Sequence, residues 1–225
     1  LESPFDAPLI RQARTKARRA AARPRKPKSE HPITKEVLEA MLATCGYSLR
    51  DLRDKALLML GWASGGRRRS EITSLRLEDV SLKELESKGI IWIRILETKT
   101  TQKGETPLLV LKGRAAEAVA LWIEASAIEG GYLFRPVAKT DDALERGLHP
   151  DAVRQIVKRR LVLAGYDESF ASPHGLRSGF LTQAALDGAP IQAAMRLSLH
   201  RSMAQAQRYY DDVDVAENPA SDLLG

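Results

Sequence analysis

Helical periodicity runs through most of this chain, and one segment breaks it. Ile90-Ile-Trp-Ile-Arg-Ile-Leu96 is rich in β-branched and aromatic residues, which suit a pleated surface and lose side-chain freedom in a helix. It reads as a strand, and residues 106–111 read as its antiparallel return, with Lys99-Thr-Thr-Gln-Lys-Gly104 as the hairpin loop between them. The rest of the core must then come from helices. Val37, Leu38, Met41 and Leu42 recur at helical spacing after Thr34, a residue suited to capping. A second helix runs from about Leu49, with Leu52, Ala56, Leu60 and Ala63 on one face, and stops at Gly65-Gly66. Further helices are expected over 113–127, 150–164, 176–186, 191–197 and 203–209. The expected class is α+β: mainly α with a small antiparallel β-sheet and no internal repeat.

A chain of 225 residues, 44% hydrophobic and 28% charged, can bury a substantial core. No apolar run is long enough to cross a bilayer, and the basic N-terminus lacks the apolar stretch of a secretory signal, so a cytoplasmic protein without a membrane partner is expected. The single cysteine, Cys45, falls in an apolar helical pattern and reads as a buried structural thiol. The net charge of +6 is concentrated at one end. Residues 1–30 hold nine Lys or Arg, among them Arg23, Arg25, Lys26 and Lys28, against Glu2, Asp6 and Glu30, so the remainder is neutral. Such a leader suits a strap that follows phosphates, or equally a solvated linker. Three prolines within Arg23-Pro-Arg-Lys-Pro-Lys-Ser-Glu-His-Pro32 favour extended chain and place a domain boundary near residue 30. Before it, residues 8–22 suit a short helix. The absence of an initial methionine raises the expectation that an N-terminal DNA-binding domain has been cut off upstream.

Four separated segments carry candidate chemistry. In Gly65-Gly-Arg-Arg-Arg-Ser-Glu-Ile-Thr-Ser-Leu75, a glycine break leads into a polar helical turn. Arg68 can hold a phosphate with its planar fork of donors, with Glu71 orienting it from one helical turn away, although a surface ion pair fits the same spacing. The hairpin lysines Lys99 and Lys103 can reach a DNA groove or protonate a leaving oxygen, or simply be solvated. In Ser172-Pro-His-Gly-Leu-Arg-Ser178, His174 and Arg177 share a face near a helix N-terminus, an arrangement that favours an anion and equally suits a capping histidine beside a surface arginine. In Leu199-His-Arg-Ser-Met-Ala-Gln-Ala-Gln-Arg-Tyr-Tyr210, a tyrosine nucleophile needs cations and a base, since its ordinary pKa is about 10; the pair also suits half-buried amphipathic packing.

In order and spacing, these four segments resemble the tyrosine recombinase (phage integrase) family. That pattern is an Arg-x-x-Glu box (Arg68 to Glu71), a hairpin lysine (Lys99), a His-x-x-Arg box (His174 to Arg177), then a histidine followed nine positions later by a tyrosine (His200 and Tyr209). The resemblance covers roughly residues 31–225, with residues 211–225 as a tail. It implies the integrase catalytic-domain fold and a DNA strand transfer in which Tyr209 forms a 3′-phosphotyrosyl link and releases a 5′-hydroxyl. Arg68 and Arg177 would hold the non-bridging oxygens, His174 would assist proton transfer, Lys99 would protonate the leaving oxygen, His200 would hydrogen-bond the phosphate and Glu71 would buttress the site.

The resemblance further implies no ATP, no cofactor and no metal, and the sequence carries no P-loop or metal-ligand motif. The expected partner is double-stranded DNA, bound by a homotetramer that can be monomeric in solution, in integrating or excising a mobile element. The chain has Leu199 where the family usually has glycine. Arg67 and Arg69 flank Arg68, and the choice of the middle arginine rests on its two-residue offset to Ser70-Glu71. Tyr210 competes with Tyr209, and Lys103 with Lys99, which leaves the lysine open. Rival readings are a type IB topoisomerase and a DNA-binding protein without catalysis.

Overall fold

The computed structural model describes residues 7–20, 29–95, 106–200 and 202–211, and of residues 11 and 18–20 the backbone alone. The described residues include ten α-helices, a 3-10 turn at Leu77–Asp79 and three short strands: α1 Pro8–Ala20, α2 Lys35–Ala43, α3 Leu49–Ala63, α4 Arg69–Ser74, β1 Val80–Ser81, α5 Leu85–Lys88, β2 Ile90–Arg94, β3 Leu108–Lys112, α6 Arg114–Ser126, α7 Pro150–Leu163, α8 His174–Leu186, α9 Ile191–Ser198 and α10 Met203–Asp211. This is the expected mainly α arrangement with a small antiparallel sheet. None of the described helices is long and apolar enough to cross a membrane.

The sheet order is β1-β2-β3, antiparallel throughout, with Ile91 opposite Leu111 and Ile93 opposite Leu109. Those four side chains are buried while Trp92 and Arg94 face outward, the alternation that the pleat imposes on a sheet with one covered face. Both strands start or stop two residues inside the expected ranges, although the Ile95 amide still donates to the Pro107 carbonyl at 2.9 Å. The hairpin loop with Lys99 and Lys103 lies outside the described residues, as do Arg23, Arg25, Lys26 and Lys28. Strand β1 was not foreseen, because two residues are too few to carry a period.

The core is dominated by α3 packed on α6, with Leu57, Leu58, Leu60 and Trp122 fully buried. Two local expectations change. Thr34 occupies the N-cap of α2 but its side chain makes no capping bond, whereas Ser48 does cap α3, accepting from the Asp51 amide at 3.2 Å. Cys45 lies just past α2 and is only half-buried. Burial raises its thiol pKa, so it is a poor nucleophile at neutral pH.

Charge also ties the helices together. Asp54 of α3 is fully buried; its carboxylate accepts from Arg53 at 2.7 Å, from Arg160 at 2.8 Å and from Arg159. Arg160 in turn donates to the Thr44 carbonyl at 2.8 Å and pairs with Asp51. This network fastens α7 to α3 and to the end of α2, and so fixes the helix whose first turns border the cleft described next.

Candidate active site

The site is assembled around a chain reversal that only glycine accommodates. Past α3, Gly65 and Gly66 take φ of +88° and +74°, where a Cβ is disfavoured. Packing adds a second reason. A Cβ on Gly65 would fall well inside 3.0 Å of the Ser198 backbone, and one on Gly66 well inside 3.0 Å of the Arg177 backbone. The reversal is therefore wedged between α8 and the end of α9, which brings the arginines that follow it next to Arg177 and His200.

Arg68 is the N-cap of α4 and not, as its i, i+3 spacing to Glu71 suggested, part of the helix. Glu71, at the third helical position, reaches back to accept from the Arg68 amide at 3.3 Å and from its guanidinium at 2.9 Å. One carboxylate thus both caps the helix and aims the arginine. On α8, His174 is the first residue and Arg177 lies one turn later; the helix begins two residues before the expected start at 176. Arg68, His174 and Arg177 line one cleft of about 590 Å³, together with Arg69 and Arg154. Arg69 is held to Asp151 of α7 at 2.7 Å.

Behind the cleft, Arg177 leads to the last segment. Its Nη1 donates to the Gly66 carbonyl at 3.2 Å, its Nε lies 3.3 Å from His200 Nε2 and its Nη2 lies 3.1 Å from His200 Nδ1. Ser198 Oγ is 2.8 Å from the same Nδ1. Burial, then the charges of Arg177 and Arg67, lower the His200 pKa to about 4, so the ring is neutral at pH 7 and keeps one accepting nitrogen. The turn that delivers His200 is made by Leu199 at φ +52°, a left-handed conformation that glycine takes without strain. The turn survives the leucine, at a local cost of about 1 kcal/mol.

Tyr209 is half-buried on α10 with its ring centroid 6.4 Å from that of His200. Burial raises its phenol pKa and the Arg177 charge opposes the rise. The neighbouring Tyr210 donates its hydroxyl to the Ala189 carbonyl at 3.0 Å, so that oxygen is engaged on the far loop. Of the residues singled out in the sequence, Arg68, Glu71, His174, Arg177, His200 and Tyr209 come together. Arg67 and Arg69, the flanking alternatives to Arg68, also border the cleft, and Arg154 had no signal in the sequence. Arg154 sits one helical turn into α7, a position where a basic side chain gives no signal until the helix is placed.

Residues 32–215 match a family model described as "Phage integrase family". An integrase/recombinase xerD homolog of Selenomonas ruminantium is 32% identical over 178 residues, covering 76% of this chain and 51% of that protein. A tyrosine recombinase XerD of Xanthomonas axonopodis pv. citri is 31% identical over 188 residues, covering 79% and 57%. The chain spans about half the length of the curated relatives it matches. Among solved structures, XerA recombinase superposes with a TM-score of 0.63 at 18% identity, over 96% of this chain and 74% of that one. A lambda integrase dimer bound to a COC′ core site gives 0.59 at 18%, over 91% and 72%. At these identities the superpositions establish the shared fold.

Proposed function

The chain belongs to the phage integrase family, and on that premise we propose that it cleaves and rejoins double-stranded DNA at a defined site through a phosphotyrosyl intermediate. The observation that carries this reading is the position of Arg177. It lines the same cleft as Arg68 and His174 and at the same time contacts His200, beside which Tyr209 stands. A phosphate seated between Arg68 and Arg177 has two guanidinium forks for its non-bridging oxygens.

In the forward step, Tyr209 Oη bonds to the scissile phosphorus as the bond to the 5′-oxygen breaks, leaving a 3′-phosphotyrosyl link. The phenol is protonated at neutral pH, because burial holds its pKa above the ordinary value, so its proton must leave as the new bond forms, with His174 assisting. Lys99 supplies a proton to the departing 5′-oxygen; Lys103 is its competitor. His200, neutral, completes the hydrogen bonding around the phosphate and Arg177. Reversal by the 5′-hydroxyl of a second strand completes the exchange, with the phosphodiester energy kept in the covalent link.

Residues 31–225 form the catalytic domain in this reading. Arg23, Arg25, Lys26 and Lys28 follow the DNA backbone, and four copies assemble on the DNA with the tail 211–225 docking between neighbours. Deletion of residues 213–225 should weaken that assembly. Integration or excision of a mobile element is the biological outcome. The test is incubation with a nicked suicide substrate carrying the attachment site, in EDTA, beside Tyr209→Phe. A covalent protein–DNA band lost in the variant supports the proposal. Relaxation of supercoils without exchange at a site would favour the topoisomerase reading, and binding without any covalent band a DNA-binding role.

A further inference from the structure

Arg67 is absent from the roles just assigned, yet it is the most deeply buried cation of the site, 3% exposed. Burying a guanidinium costs several kcal/mol unless it is well paired. Its nearest carboxylate oxygen, Oε2 of Glu71, is 3.8 Å away; its Nε is buried without a hydrogen-bond partner; and the like charges of Arg177 and Arg68 face it. For a buried cation so poorly paired, replacement by an apolar side chain is commonly neutral or stabilising. What Arg67 makes that an apolar residue cannot is a 2.6 Å hydrogen bond from Nη2 to the Leu197 carbonyl, one of the carbonyls left open where α9 ends. Three residues later the chain presents His200. The other arm of the same guanidinium reaches the carboxylate that aims Arg68.

We propose that Arg67 is a positioning residue: it ties the end of α9 to the Arg68–Glu71 pair and thereby sets His200 and Arg177 in register with Arg68. The inference rests on the strand-transfer reading above for its catalytic consequence, but not for its structural one. The wedge of Gly65 against Ser198 brings the two segments close, and the Arg67 side chain fixes the distance between them. Since Arg67 acts through other groups, its loss should change the rate with bound DNA and leave the affinity for DNA intact. Displacement of reacting groups by about 1 Å costs on the order of 100-fold in rate.

The experiment uses Arg67→Met and Arg67→Lys in the full chain, measuring single-turnover covalent-complex formation at saturating suicide substrate alongside DNA affinity. Arg67→Met should slow formation by roughly 10- to 100-fold with affinity unchanged. Arg67→Lys keeps the charge but cannot engage Leu197 and Glu71 together; it should fold, recover part of the rate and still fall short of the parent by about tenfold. A parent-like rate in Arg67→Lys, or a loss of affinity in proportion to the rate in either variant, overturns the proposal.

A second readout needs no catalysis. The His200 ring faces the charges of Arg177, Arg67, His174 and Arg68. In the DNA-free protein its NMR titration should move upward in Arg67→Met and less in Arg67→Lys. An unmoved titration in Arg67→Met overturns the link to His200. A parent protein that forms no covalent complex would sink the strand-transfer reading and leave this arm standing.

Discussion

Alanine at position 66 should be among the most damaging single-methyl additions in the molecule. The backbone there has φ of +74°, and for an L-residue the left-handed region costs about 1–2 kcal/mol. The new Cβ would also meet the Cα, N and Cβ of Arg177, none of them the loose end of a flexible side chain, so α8 or the reversal must move. Forcing an extra methyl into a packed contact costs about 1–3 kcal/mol. The sum, about 2–5 kcal/mol, corresponds to a fall in melting temperature of roughly 5–15 °C for a chain of this size. The displaced helix carries both His174 and Arg177. A shift of about 1 Å should therefore slow covalent-complex formation on the order of 100-fold even where the variant is still folded. Thermal unfolding and single-turnover cleavage of Gly66→Ala test both halves. Stability within about 0.5 kcal/mol of the parent, or an unchanged cleavage rate, would refute the wedge as the device that assembles the site.

His200 should titrate near 4 by NMR, well below an ordinary histidine. Between about pH 6.5 and that value the unfolded chain binds a proton that the folded ring refuses, so this group makes stability fall as pH drops through the window, by less than the full shift implies because the ring is partly solvated, and contributes nothing above it. Asp54→Ala should cost about 3–5 kcal/mol in denaturant unfolding, because the buried Arg160 and Arg53 lose the carboxylate between them. Tyr210→Phe should lose about 1 kcal/mol with its bond to Ala189 and form the covalent complex as the parent does; loss of the complex in that variant would reopen the choice of tyrosine.

The fold was readable where one side of an element repeats. Helices α3, α6, α7 and α9 fall within two residues of their expected ranges because a glycine or proline marks an end of each, and β2 and β3 because buried apolar residues alternate with exposed ones across the pleat. Elements too short for a period, β1 and α5, left no trace. Three of the four spaced motifs are brought together, those of Arg68, of His174 with Arg177, and of His200 with Tyr209, because each is a local spacing along the chain, whereas the hairpin lysines lie outside the described residues. What could not be read depends on three-dimensional approach. The glycine pair looked like a helix end, and only the placed helices show that a methyl at 65 or 66 would strike Ser198 or Arg177. Arg67, Arg68 and Arg69 are indistinguishable in composition, yet one is buried, one is aimed by Glu71 and one is paired to α7. The Asp54–Arg160 bond joins residues 106 positions apart and has no local signature.

The central claim is that Tyr209 becomes bonded to DNA, and the direct measurement is to trap the covalent complex on a suicide substrate, digest it and locate the nucleotide-bearing residue by mass spectrometry. The account predicts the adduct on Tyr209, through a 3′-phosphate, with Tyr210 unmodified. An adduct on Tyr210, or on any other side chain, would contradict it.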